Sequence, residues 1–168
     1  MRLTTLCYLE NNGCYLMMNR VRKQNDENQG KWIGVGGHLE EDESPEECIR
    51  REVLEETGAR LTQWKLRGIL TFILPDWGNE MTFLYTGKAE GDIREECDEG
   101  ILQWIPKERI MDLPLWEGDR VFLPLLQTRE DCFSLKLVYE KGGRFVRYSL
   151  DGQAECAAPG CDHEGTEH

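Results

Sequence analysis

The chain has no apolar run approaching the roughly 18 residues that a membrane-crossing helix needs. It has no charged-then-apolar leader either, because the apolar stretch from Leu3 is interrupted by Glu10, Asn11 and Asn12. Basic charge is short: 20 lysines and arginines face 32 aspartates and glutamates over 168 residues, a net charge of −12. So acidic a chain argues against sequence-independent association with a nucleic acid polymer or an anionic membrane, since both need basic surface. A phosphorylated small molecule is still admissible if metal ions bridge it to the protein. Cysteine is present but unpatterned: seven residues, an odd number, widely scattered, which is not a secreted disulfide framework. Cys7, Cys48, Cys97 and Cys132 read as reduced thiols, several of them buried. Proline is sparse, at six, and 39% hydrophobic residues fit a globular chain, of a length for one domain with its own core. No internal repeat is visible. The expectation is a soluble cytoplasmic protein, a monomer or a homodimer.

What the sequence does have is the stretch Gly37 to Ala59, GHLEEDESPEECIRREVLEETGA. Ser44 is a good N-cap, Pro45 suits the first helical position, and Glu47 completes an S-x-x-E capping box. Gly58 supplies the stop, because glycine enters the left-handed conformation without penalty. The spacing therefore predicts a helix over Pro45–Thr57. At about 100° per residue, Glu52, Glu55 and Glu56 share one arc, while Ile49, Val53 and Leu54 can pack on a sheet. Carboxylates so placed repel one another. Composition leaves two readings open: a solvated acidic face, or a site where a hard divalent cation such as Mg²⁺ or Mn²⁺ removes the conflict.

The spacing adds a resemblance. Gly37, five residues, Glu43, seven residues, Arg51-Glu52, Val53, Glu55-Glu56, one residue, Gly58 and Ala59 resembles the signature of the Nudix hydrolases at each fixed position. Ala59 is the one soft match, where a larger aliphatic is usual. The resemblance implies an α/β/α sandwich with a mixed sheet and Mg²⁺-dependent hydrolysis of nucleoside diphosphates linked to another group. It also implies that Glu52, Glu55 and Glu56 bind metal with help from the Gly37 carbonyl. Arg51 would orient the carboxylates, and Glu43 would hold the loop or a metal-bound water.

Elsewhere the pattern is mostly strands. Leu3–Leu9 and Cys14–Val21 flank Asn12-Gly13, a strong hairpin signal. Arg20, Arg22 and Lys23 form a basic cluster that is either a solvated strand end or a phosphate contact; related enzymes place a substrate-contacting arginine at Arg20. Trp32 to Gly37 runs into the signature loop, and Gly36 and its fellow glycines allow close backbone approach to a ligand. The segment WIGVGGHLE resembles hydrolases of oxidised nucleotides of the MutT type. Ile33 stands where some relatives carry a base-reading amide and cannot hydrogen-bond. Leu61–Leu74, Met81–Lys88 and Ile101–Ile105 read as strands, with an acidic segment from Glu90 to Glu99. By resemblance, Glu99 is a further metal-binding or base-type glutamate; otherwise it belongs to a solvated loop.

Pro106–Met111 predicts a short helix, and Leu115–Asp119 opens a second helix to about Gln127, with Asp119 near its N-terminus and a bend at Pro124. Trp116 is by default a packing residue; by resemblance it stacks on a purine base whose edge Asp119 bonds, with Gly118 in the place of a second acid. Cys132–Tyr139 and Arg144–Leu150 predict a last hairpin. The resemblance covers about residues 1–151. From 152 to 168 disorder is expected, with Cys156, Cys161 and His163 as potential soft-metal ligands lacking a packed scaffold.

These features lead to an expected function in nucleotide-pool sanitation. The chain would be a Mg²⁺-dependent hydrolase that converts oxidised purine triphosphates such as 8-oxo-dGTP to monophosphate and pyrophosphate. The proton acceptor would be Glu55 or Glu99. Two other readings remain: hydrolysis of ADP-ribose or another nucleoside diphosphate conjugate, and nucleotide binding without cleavage.

Overall fold

In the computed structural model, residues 1–21 and 30–159 are described. The first hairpin joins β1 (Arg2–Asn11) to β2 (Cys14–Asn19). Its turn residues Asn12 and Gly13 both have positive φ, 48° and 74°, as a tight turn matched to strand twist requires. After the short β3 (Trp32–Ile33) comes α1 (Pro45–Thr57), with the boundaries its local signals predict. The Ser44 side chain accepts the Glu47 N–H at 3.1 Å, and the Glu47 carboxylate accepts the Ser44 N–H at 3.4 Å. At the other end Gly58, at φ 78°, donates to the Leu54 carbonyl.

β4 (Arg60–Ile73) and β5 (Glu80–Glu90) form a long antiparallel pair. β6 (Ile101–Pro106) leads into a 3₁₀ segment, Lys107–Asp112, where an ordinary short helix was expected. Then come α2 (Asp119–Thr128), β7 (Phe133–Tyr139), β8 (Phe145–Leu150) and β9 (Cys156–Ala157). The strands order as β3-β2-β1-β5-β4-β7-β8-β9, with β6 added along β2. Pairs β1–β5 and β4–β7 are parallel and the rest antiparallel, so the sheet is mixed.

Strand alternation sends successive side chains to opposite faces. On β1 and β2, Cys7, Leu9, Leu16 and Met18 join Ile49 and Val53 of α1 in one core. Tyr8, Tyr15 and Met17 join Phe122, Leu123 and Leu126 of α2 in the other. The sheet thus lies between two helices, the α/β/α sandwich that the resemblance implied.

Residues 156–158 differ from the expected disorder. Residues 156–157 extend the sheet by pairing with β8, and Ala158 is buried against the α2 core. Local composition did not disclose this, because the segment is ordered by backbone pairing with β8 rather than by any apolar pattern of its own. Arg22, Lys23, Cys161 and His163 lie outside the described residues.

Candidate active site

The signature loop is fastened to the edge of β1 over residues 35–39. Cys7 N–H donates to the Val35 carbonyl at 2.6 Å, and Leu39 N–H donates to the Leu3 carbonyl at 3.0 Å. Glycine is required here by space: a Cβ on Gly36 would lie 2.0 Å from the Thr5 carbonyl oxygen, and one on Gly34 2.6 Å from that of Cys7. The Gly37 carbonyl, expected to help hold a metal, accepts the Thr5 N–H at 2.9 Å with one of its two lone pairs. What Gly37 offers on its open side is room, since a Cβ there would stand 2.5 Å from Glu52 Oε1.

Helix α1 presents its acids unequally. Glu56 is 7% exposed, accepts the Gly36 N–H at 3.1 Å and lies in contact with Glu99. Burial first, then the charges of Glu99 and Glu52, raise its pKa well above the ordinary carboxylate range. Burial also raises Glu52, against the pull of Arg51. Glu55 is different: its side chain is 59% exposed and pairs with Arg51 at 3.3 Å. On one arc, Glu55 and Glu56 lie to opposite sides of Glu52, the first mostly in solvent and the second buried beside Glu99. The three carboxylates that converge are therefore Glu52, Glu56 and Glu99, the last from the loop ahead of β6.

Arginines hold this group. Arg51 bonds both oxygens of Glu43 and also Glu52 Oε1 at 2.8 Å, so it spans the loop and the helix. Arg20, at the end of β2, pairs with Glu99 at 2.8 Å. Arg94, which the sequence reading passed over, donates to the Glu55 carbonyl at 2.9 Å, while its own N–H donates to the Thr57 carbonyl. It caps a helix whose last turn has no basic residue of its own, and it ties the acidic loop to α1. Beneath the loop the Cys48 thiol contacts Thr5 Oγ1, and burial pushes its pKa up to about 11, so it stays a thiol.

One cleft of about 500 Å³ connects the glutamates to an aromatic region. Arg20, Gly36, Arg51, Glu52 and Glu99 line it, as do Ile33, Phe72, Trp77, Trp116, Asp119 and Tyr139. Trp116 is half-buried, with the Lys31 ammonium over its ring at 5.6 Å. Asp119, first residue of α2, is 4% exposed, and burial raises its pKa to about 8 against the opposing charges of Arg120 and Lys31. Phe72, Trp77 and Tyr139 carried no signal beyond the inward phase or turn position of an ordinary strand residue.

The donor set suits a hard dication: Glu52, Glu56 and Glu99 lie close enough for their charges to oppose one another, and among the described residues no salt bridge neutralises Glu56. Among the described residues no three His, Cys, Asp or Glu side chains are already closed up as a metal site. Arg51 and Arg20 each hold one of the acids.

Comparison with known proteins agrees with this geometry. The chain is 29% identical over 154 residues to an uncharacterized Nudix hydrolase of Bacillus subtilis, YvcI, covering 89% of this chain and 94% of that one. It is 28% identical over 123 residues to the oxidized purine nucleoside triphosphate hydrolase of Mus musculus, covering 72% and 78%. A MutT protein from Bacillus halodurans has the same fold, with a TM-score of 0.81 at 24% identity over 92% of this chain and all of that one. The NUDIX domain model matches residues 1–126. The chain therefore belongs to the Nudix family of hydrolases, enzymes of pyrophosphate bonds that generally use divalent metals.

Proposed function

We propose that the protein is a Mg²⁺-dependent nucleoside triphosphate pyrophosphohydrolase acting on oxidised purine nucleotides such as 8-oxo-dGTP, with Mn²⁺ as a substitute ion. The single observation that carries this reading is the continuity of one cleft between clustered glutamates and the Trp116–Asp119 region. A carboxylate cluster alone would suit many phosphoanhydrides; an indole and a buried acid at the same cleft suit a purine. Similarity to the mouse hydrolase supports the same choice.

Glu52, Glu56 and Glu99 would hold the metal. When bound, a divalent ion neutralises phosphate charge and lowers the pKa of a water. Arg51 keeps Glu52 turned toward the cleft while Glu43 locks the guanidinium. Arg20 stands at the cleft beside Glu99, where it can meet a phosphate oxygen. The acceptor of the water proton is Glu55 or Glu99, of which Glu99 lines the cleft. Trp116 offers a stacking face, and Asp119, whose raised pKa lets it carry a proton near neutrality, can bond a base edge.

Hydrolysis of 8-oxo-dGTP and dGTP in Mg²⁺, with product identification, tests the reading. Faster turnover of 8-oxo-dGTP to monophosphate and pyrophosphate is expected. Equal or absent turnover of both would defeat the damaged-base assignment, and greater activity on ADP-ribose would move the enzyme to nucleoside diphosphate conjugates.

A further inference from the structure

Tyr139 ends β7 at the aromatic region of the cleft, 3% exposed and lining it. Its ring meets Trp116 edge to face, with centroids 5.7 Å apart at 88°. Its hydroxyl oxygen accepts the Gly118 N–H at 2.7 Å. That bond uses a lone pair and leaves the O–H proton uncommitted: among the described residues the hydroxyl has no protein acceptor. A buried donor left unmatched is costly unless a ligand matches it.

Gly118 explains how the hydroxyl comes to be there. Its backbone, at φ −64° and ψ −29°, is one that any residue adopts, so conformation does not call for glycine. Space does. A Cβ at 118 would stand 2.6 Å from the Tyr139 hydroxyl oxygen. The missing side chain admits the phenol to the corner beside Asp119, where burial above all keeps the Tyr139 pKa high and the group a donor.

We propose that Tyr139 is a specificity-determining residue whose O–H donates to a ring carbonyl of the purine seated against Trp116, so that the cleft prefers oxopurine to aminopurine nucleotides. This rests on the reading of the cleft as a nucleotide site. A carbonyl accepts the unspent proton; an exocyclic amino group sets donor against donor and leaves both unsatisfied.

The test compares kcat/KM for dGTP and dITP with that for dATP, in the wild type and in Tyr139→Phe, which keeps the ring and removes the hydroxyl. The oxo-to-amino ratio should fall about fivefold to tenfold, chiefly through KM. Gly118→Ala, which displaces the hydroxyl, should lower the same ratio. An unaltered ratio in Tyr139→Phe, or a wild type without oxopurine preference, would overturn the proposal. Binding is read apart from turnover, by quenching of tryptophan fluorescence with dGMP and dAMP in the absence of metal. Selective dGMP binding that Tyr139→Phe abolishes supports the role even if no triphosphate is cleaved, which would count against the hydrolase reading alone. Equal binding of the two monophosphates by the wild type overturns it.

Discussion

Arg51 grips Glu43 through two bonds, Nε to one carboxylate oxygen at 2.7 Å and Nη2 to the other at 2.9 Å. Glu43 also accepts the Glu40 N–H at 3.0 Å, which closes the loop ahead of α1. The forked pair is therefore a joint between the loop and the helix that carries the other acids.

That joint has a pH signature. The Arg51 bonds lower the Glu43 pKa from 4.5 to about 2. A depressed carboxylate contributes stability that is full above its ordinary pKa and is lost as pH falls through the folded value. The melting temperature of Glu43→Gln should lie below wild type at pH 7, with the gap narrowing below about pH 4.5 and closing near pH 2. A gap that stays constant over that range would show that the ion pair is not its source.

Glu56 shifts in the opposite sense. Its raised pKa means that its favourable contribution belongs to low pH and disappears as pH rises through the folded value. In EDTA at alkaline pH, Glu56→Gln should therefore melt above wild type. Mg²⁺ should raise the wild-type melting temperature by selective binding to the folded state and leave Glu56→Gln nearly unmoved. At least about a 10²-fold loss of kcat is expected for Glu56→Gln. Glu55→Gln should lose less, because the Glu55 side chain is mostly in solvent while Glu56 is buried against Glu99. The reverse ranking would show that Glu55 is the stronger ligand.

Trp116→Ala removes the indole against which a base would lie. Stacking on an aromatic is worth about 1–3 kcal/mol per base, so KM should rise between about fivefold and about 150-fold, with a smaller change in kcat. Steady-state kinetics on 8-oxo-dGTP decides it. An unchanged KM would place the base elsewhere.

Asp119 is raised from 3.8 to about 8 by burial. Its contribution to stability is full below about pH 4 and is lost as pH rises through about 8. Asp119→Asn keeps the shape and cannot ionise. Its melting temperature should gain on wild type between pH 4 and pH 9, and its KM for purine triphosphates should rise. Parallel pH–melting curves for the two proteins would rule out a buried, titrating carboxyl.

Helix α1 was legible residue by residue because everything that sets its ends is local. Ser44, Pro45 and Glu47 act within one turn, and Gly58 stops the helix through its own backbone freedom. The Asn12-Gly13 hairpin and the alternation of β7 were legible for the same reason, since turn dihedrals and strand phase are properties of neighbours in sequence. The arc shared by Glu52, Glu55 and Glu56 also follows from helical pitch alone.

Which side of that arc faces the cleft was decided by the sheet. With Ile49 and Val53 packed against β1 and β2, Glu56 is buried and Glu55 is left in solvent. Glu99 reaches Glu56 because β6 joins the edge of β2 and brings the preceding loop with it. Arg94 finds the end of α1 through that same loop. Tyr139, at the end of β7, meets Gly118 across 21 residues of sequence, and Ala158 is buried where β9 lies beside β8. The sequence by itself determined the elements and the acids one helix could display; the tertiary structure alone decided their partners and burial, because desolvation and charge contact depend on distance in space.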